Sequence, residues 1–189
     1  MASETHTLAT ERLLLRSWRP ADRAALAALN ADPRVMEWFP ATLSPQESDA
    51  VAEVIERRLR HQGWGFWAVE IRGGAEFIGF VGLNPAEETL GYPAVEIGWR
   101  LAAEHWGHGY APEAARASLR FGFDTLGLDQ IVALTAVGNV KSRRVMEKIG
   151  MTHDPADDFE NQRIPEGSPL RRHVLYRITP ELLEAGAQP

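Results

Sequence analysis

Residues 95–113 limit what this chain can fold into more than any other stretch. In Val95-Glu96-Ile97-Gly98-Trp99-Arg100-Leu101, the apolar residues Val95, Ile97, Trp99 and Leu101 alternate with Glu96, Gly98 and Arg100. A period of two is that of a strand half-buried on one face. Trp106-Gly107-His108-Gly109-Tyr110-Ala111 follows, and then Ala111, Ala114, Ala115, Ser118, Leu119, Gly122 and Leu126 fall on one helical stripe. A strand, a glycine loop and a helix start in that order offer free backbone N–H groups and a positive helix end to an anion, so a phosphate-bearing ligand is expected. The pattern alone also fits a tight connection. The chain has no G-x-x-x-x-G-K-S/T sequence, and Pro112 stands where the third glycine of a dinucleotide fingerprint would fall.

The flanking sequence predicts a layered domain. Leu13–Trp18 reads as a strand, and Pro20–Asn30 as a helix with Leu26 and Leu29 inward. Ser44-Pro45-Gln46-Glu47 is a capping-box start for a helix to about His61, with Val51, Val54, Ile55 and Leu59 inward. Phe66–Ile71 and Glu76–Leu83 are strands around the hairpin signal Gly73-Gly74. Gln130–Val137 is a nearly continuous apolar strand, expected to be central. Val140–Ile149 is a helix ended by Gly150, and His173–Thr179 a last strand. Residues 154–171, rich in proline and acids, read as a long exposed loop. The order predicts one α/β (α+β) domain spanning 1–189, with a mixed, mostly antiparallel sheet flanked by about four helices.

Composition excludes several chemistries. With no cysteine, disulfides, thiolate catalysis and zinc–thiolate sites are ruled out, and a cytoplasmic location is the expectation. A net charge of -6 gives no general attraction for nucleic acid. Arg57, Arg58 and Arg60 on one helix, and Lys141, Arg143 and Arg144 on another, read as solvated faces. No apolar run approaches the ~20 residues that span a bilayer, and Met1–Thr10 lacks the basic flank and apolar core of a signal peptide. His105 and His108 are too few to hold a metal, so none is expected.

A second constellation narrows the ligand. Asn139-Val140-Lys141-Ser142, ending in Glu147-Lys148-Ile149-Gly150-Met151, opens a helix directly after the apolar strand. With Thr10-Glu11-Arg12-Leu13-Leu14-Leu15-Arg16 and Asp32-Pro33-Arg34-Val35-Met36-Glu37-Trp38-Phe39-Pro40, the chain resembles the GNAT superfamily of N-acetyltransferases, in its RimJ/RimL-type ribosomal-protein alanine branch. The family's pyrophosphate motif, Q/R-x-x-G-x-G/A, falls on Trp106-Gly107-His108-Gly109-Tyr110-Ala111, with Trp106 in place of Gln/Arg. The resemblance implies the GNAT fold and acetyl-CoA as acetyl donor. It implies cofactor contacts from the backbone at Trp99, Arg100 and Leu101, from Trp106 through Ala111, and from Asn139 and Ser142. The side chains of residues 99–101 read as packing, His108 also as a solvated loop histidine, and Asn139 also as a helix N-cap.

The implied reaction is direct attack of an amine on a thioester. It benefits from a base, a donor to the carbonyl oxygen and an acid for the leaving thiolate. Many relatives place a Tyr seven residues after the Asn; here that position is Met146, which makes Ser142 the candidate acid. Glu96 is the candidate base, with strand pairing or a salt bridge as its competing role, and Asp157, Asp158 and Glu160 are further acids able to attract a cationic acceptor. Trp38, Phe39, Trp64, Phe66 and Trp67 are candidate walls of an acceptor pocket, or ordinary core. An α-amine (pKa about 7.7–8.0) costs roughly 1.2 kcal/mol to deprotonate at pH 7, a lysine (about 10.4) roughly 4.6. Without an evident strong base, a protein or peptide N-terminal α-amine is the expected acceptor. A small-molecule amine is the alternative, and a non-catalytic acyl-CoA-binding regulatory module the rival class. The assembly expected is a monomer or homodimer.

Overall fold

A computed structural model describes residues 5–186; the first part of the segment read as lacking a signal peptide lies outside them. In chain order the elements are β1 (Leu8–Ala9), β2 (Leu13–Arg16), α1 (Asp22–Ala31), α2 (Pro45–Gln62), β3 (Phe66–Ile71), β4 (Gly79–Pro85), α3 (Glu87–Leu90), β5 (Val95–Leu101), α4 (Tyr110–Asp124), β6 (Ile131–Ala136), α5 (Val140–Lys148), β7 (Thr152–His153), β8 (Phe159–Glu160), β9 (Arg172–Ile178) and α6 (Pro180–Ala185). One sheet runs in the order β1-β2-β3-β4-β5-β6-β9-β7, with β8 also on β9. All pairs are antiparallel except β5 with β6. The mixed, mostly antiparallel sheet is as expected, but six helices surround it rather than about four, because α3 and α6 are too short to leave a periodic trace.

The local devices read from sequence are in place. Ser44 Oγ accepts from Glu47 N–H, the Glu47 carboxylate accepts from Ser44 N–H at 2.8 Å, and Gly63 ends α2 in the left-handed region. Helices α1 and α2 bury Leu26, Ala52 and Ile55 against Phe80 on one side of the sheet. The stripe of α4 (Ala114, Ala115, Leu119), with Met146 and Ile149 of α5 and Leu183 of α6, belongs to the main core. Val54, expected inward, is exposed. At the end of β2, Arg16 binds both carboxylate oxygens of Asp22 at 2.8 and 2.9 Å, and also Glu70 at 2.7 Å.

Segment 154–171 is not a free loop. Phe159 and Glu160 pair with His173 and Arg172 of β9, Asp157 accepts from Arg177 Nε at 2.9 Å, and Asp158 meets His153 Nε2 at 2.7 Å. No helix among the described residues is long and apolar enough to cross a membrane.

The join between β5 and β6 shapes everything that follows. These strands share a single register pair, Glu96 with Val132, near the start of each. Beyond it they part, so the β6-facing backbone of Gly98–Arg100 has no strand partner. Helices α4 and α5 start just past the carboxyl ends of these two strands. Two positive helix ends therefore face the mouth of the gap.

Candidate active site

The parted strands open into a cleft of about 930 Å³. Of the residues singled out in the sequence, Trp38, Phe39, Phe66, Glu96, Trp99, Arg100, Leu101, Trp106, Gly107, Gly109, Tyr110, Ala111, Asn139 and Ser142 line it. Six do not. Trp67 is fully buried in the main core and Trp64 packs against it. Glu160 pairs with Arg172 on β9 and forms an ion pair with Arg171. His108 is exposed and stacks on Tyr110 with ring centroids 5.6 Å apart. Asp157 and Asp158 are held by Arg177 and His153 away from the cleft, because the segment that carries them is tied to β9.

At the mouth, Gly107 and Gly109 have φ of 82° and 81°, a left-handed conformation that side-chain-bearing residues rarely take. Among the described residues the N–H groups of Gly107, His108, Gly109, Tyr110 and Ala111 donate to no protein acceptor, and Pro112 at the next position has none to leave over. The loop is braced from behind. Arg12 Nη1 donates to the His108 carbonyl at 2.9 Å, which turns the trans-related Gly109 N–H the opposite way. Glu113 holds Arg12 Nε at 2.7 Å and accepts from the Thr10 hydroxyl at 2.6 Å. This Thr10–Arg12–Glu113 brace, spanning some hundred residues of sequence, was not among the expected site residues.

Trp106 donates its indole N–H to the Leu101 carbonyl at 2.8 Å, so that ring anchors the end of β5. Lys141 Nζ lies 4.6 Å from the centre of its indole and 3.7 Å from Glu37. A strap from the α1–α2 connection thus crosses to α5. Trp38 completes it: a Cβ added to Gly138 would stand 2.6 Å from the Trp38 ring.

Asn139 caps α5. Its Oδ1 accepts from Ser142 N–H at 3.2 Å and its Nδ2 donates to Thr135 Oγ1 at 2.9 Å. Ser142 lies on the cleft side of the first turn of α5, and its hydroxyl has no protein partner among the described residues.

Glu96 turns to the α1–α2 side of the sheet, at the vertex of the gap. Asn84, directly opposite it on β4, donates to its Oε1 at 3.0 Å, and Arg58 of α2 donates to Asn84 Oδ1. Burial raises the Glu96 carboxyl above its ordinary range, opposed by the Asn84 hydrogen bond and the Arg58 charge. Arg58 was read as part of a solvated face. It follows Val51, Val54 and Ile55 on the helical stripe that faces the cleft, and that spacing is the signal that could have found it.

Arg100 shares the Glu96 side of β5, with Gly98 between them. Its guanidinium carbon lies 4.1 Å from the ring centre of Phe39 and 5.3 Å from that of Phe80, and Nη1 donates to Asn30 Oδ1 at 2.7 Å. Burial pushes its pKa down to about 10, which leaves it cationic at neutral pH. No group of three or more His, Cys, Asp or Glu able to hold a metal exists among the described residues.

Residues 12–152 match the family model described as "Acetyltransferase (GNAT) domain". The chain is 32% identical over 184 residues to the FsC-acetyl coenzyme A-N(2)-transacetylase of Aspergillus fumigatus, covering 93% of this chain and 77% of that one. It is 28% identical over 148 residues to a putative ribosomal N-acetyltransferase, YdaF, of Bacillus subtilis, covering 76% and 80%. It also superposes on the crystal structure of an acetyltransferase from Agrobacterium tumefaciens with a TM-score of 0.76 at 30% identity, covering 94% and 96%. With its parted strands, its free amide loop and these similarities together, the chain belongs to the GNAT family of N-acetyltransferases and is an acyltransferase.

Proposed function

We propose that the chain is a single-domain, cytoplasmic enzyme that transfers the acetyl group of acetyl-CoA to an α-amine. The observation that carries this reading is the gap between β5 and β6, which has Glu96 at its vertex and five free amides at its mouth. The cleft fits the donor in three respects. The amides of Gly107–Ala111 at the start of α4 suit a pyrophosphate. Lys141 and Arg144 line the same mouth and add positive charge. The unpaired backbone of Gly98–Arg100 suits the amide groups of a pantetheine arm.

Acetyl-CoA supplies an activated acetyl group as a thioester. Glu96 accepts the proton the amine gives up as its new N–C bond forms, and the raised affinity of its carboxylate for a proton makes it a better base. Ser142 Oγ holds a proton for the thiolate released when the C–S bond breaks. Trp38, Phe39 and Phe66 wall the acceptor side.

The expected acceptor is the N-terminal α-amine of a peptide or protein, consistent with the similarity to the putative ribosomal enzyme. A small-molecule amine is the second reading. It draws on the relative named as an N(2)-transacetylase and on the strap that roofs the cleft. Calorimetric titration with acetyl-CoA, using Gly109→Trp as the control, tests the donor, and absence of binding to the wild-type protein refutes it. Mass spectrometry of a peptide and amine library after incubation with acetyl-CoA then identifies the acceptor. Ser142→Ala should lower turnover while leaving acetyl-CoA affinity nearly unchanged; an unaffected rate would make Ser142 a packing residue.

A further inference from the structure

The deepest cation of the cleft has no carboxylate. Arg100 Nε is buried without a hydrogen-bond partner, and no Asp or Glu among the described residues forms an ion pair with this guanidinium. A buried charge without a counter-charge is costly and is ordinarily paired. Arg16 shows the ordinary solution in this same chain, with Asp22 and Glu70 both on its guanidinium. At Arg100 the neighbours are instead two phenyl rings and a neutral amide.

That amide is itself fixed. Asn30 is fully buried, its Nδ2 donates to Ser48 Oγ at 3.0 Å, and Ser48 is 1% exposed. Phe39 and Phe80 lie beside the guanidinium and Nη1 is fixed on Asn30, so Nη2 has no protein partner among the described residues. The group is cationic and lines the cleft. It sits on the same face of β5 as Glu96, four residues away, or about 13 Å between Cα atoms at strand spacing. Planar guanidinium groups of this kind bind carboxylates through two parallel hydrogen bonds.

We infer that Arg100 binds a carboxylate carried by the acceptor, so that the enzyme selects amines bearing an acid group. This rests on the acetyltransfer reading and narrows it. Glu96 faces the amine and Arg100 the acid, which gives the acceptor one orientation in the cleft. The carboxylate has two possible sources, the α-carboxylate of a free amino acid or an acidic side chain next to a peptide's N-terminus.

The test compares kcat/KM for matched acceptors with purified enzyme and acetyl-CoA. One arm pairs free amino acids with their carboxamides. The other pairs C-terminally amidated peptides that begin with Asp or Glu with those that begin with Asn or Gln. In at least one arm the carboxylate acceptor should be preferred by roughly 10–100-fold, the range of a charge-assisted hydrogen bond. Arg100→Gln should erase that preference through KM, and Arg100→Lys should keep part of it. Asn30→Asp is the second variant: it gives Arg100 an internal carboxylate, so preference should fall while thermal stability holds or rises. Equal rates for acid and amide in both arms overturn the inference.

If no acceptor reacts in any arm, the α-amine reading of the acceptor fails instead. Binding then decides the carboxylate question, measured by quenching of the cleft tryptophans with N-acetylated amino acids against their amides. Indifference to charge overturns the inference, and preference for the acids lost in Arg100→Gln sustains it.

Discussion

Replacing Glu96 by Gln should separate catalysis from stability, in opposite directions. The substitution keeps the shape and retains an oxygen to accept from Asn84, but it removes the proton acceptor. General-base assistance is worth about 10²–10⁴ in rate, or about 2.7–5.5 kcal/mol. The lower end applies here, since deprotonating an α-amine at pH 7 costs only roughly 1.2 kcal/mol. We expect kcat to fall about 10²-fold at pH 7, with acetyl-CoA affinity unchanged. The gap should narrow above pH 8, where the amine is already neutral.

Stability follows the opposite course. Burial raises the Glu96 carboxyl in the folded protein, so the folded state holds this proton more tightly than the unfolded chain does. The stabilisation from that proton is complete below the ordinary glutamic-acid range and is lost as pH rises through the folded value. A glutamine at this position escapes the loss. Glu96→Gln should therefore melt at or above the wild-type temperature at neutral pH, and the difference should shrink in acid. Thiol release against pH and calorimetric melting against pH measure the two halves. Activity within threefold of wild type at pH 7, or a lower melting temperature at neutral pH, would refute the assignment.

Three other substitutions probe the supports. Asn84→Leu removes the donor that holds Glu96 down, so the acid limb of the kcat/KM profile should move to higher pH while the alkaline plateau stays; a limb that does not move shows that Asn84 does not tune the base. Gly109→Ala places a side chain at φ 81°, which costs about 1–2 kcal/mol, and should weaken acetyl-CoA binding by roughly 5–30-fold in calorimetry. Asp22→Asn breaks one arm of the buried Arg16 cluster and should cost about 3 kcal/mol in urea unfolding, the low end of the range because Glu70 remains.

What the sequence disclosed follows from how far each interaction reaches along the chain. The β5–loop–α4 unit was legible because its strand period, glycines and helical stripe are contiguous. The capping box of α2 was legible for the same reason. Glu96 could be placed on a face of β5 but not on a side of the molecule, because both sides of that strand are covered. Arg58 belongs to a basic run in sequence, and only the helical projection of α2 sets it apart on the stripe that faces the cleft. Asp157 and Asp158 look in sequence like free acids able to attract a cationic acceptor, because their partners, Arg177 and His153, come near only when β7 and β9 pair. In sequence the Arg100 side chain reads as packing. Its phenyl neighbours and Asn30 lie 20 to 70 positions away, and no local pattern announces a guanidinium left without an acid.

The parting of β5 and β6 also bears on solubility. A run of strand without a partner is a template for a foreign strand, and proteins usually blunt such edges with lysine, proline or a bulge. Here the unpaired backbone of Gly98–Arg100 lies in the interior of the sheet, with α2 on one flank and α5 on the other. A neighbouring chain cannot bring a whole strand into that recess, whereas a single slender molecule can. The defect that would invite aggregation at a sheet's rim is protected here by depth, and the sheet is left one short rung from completion.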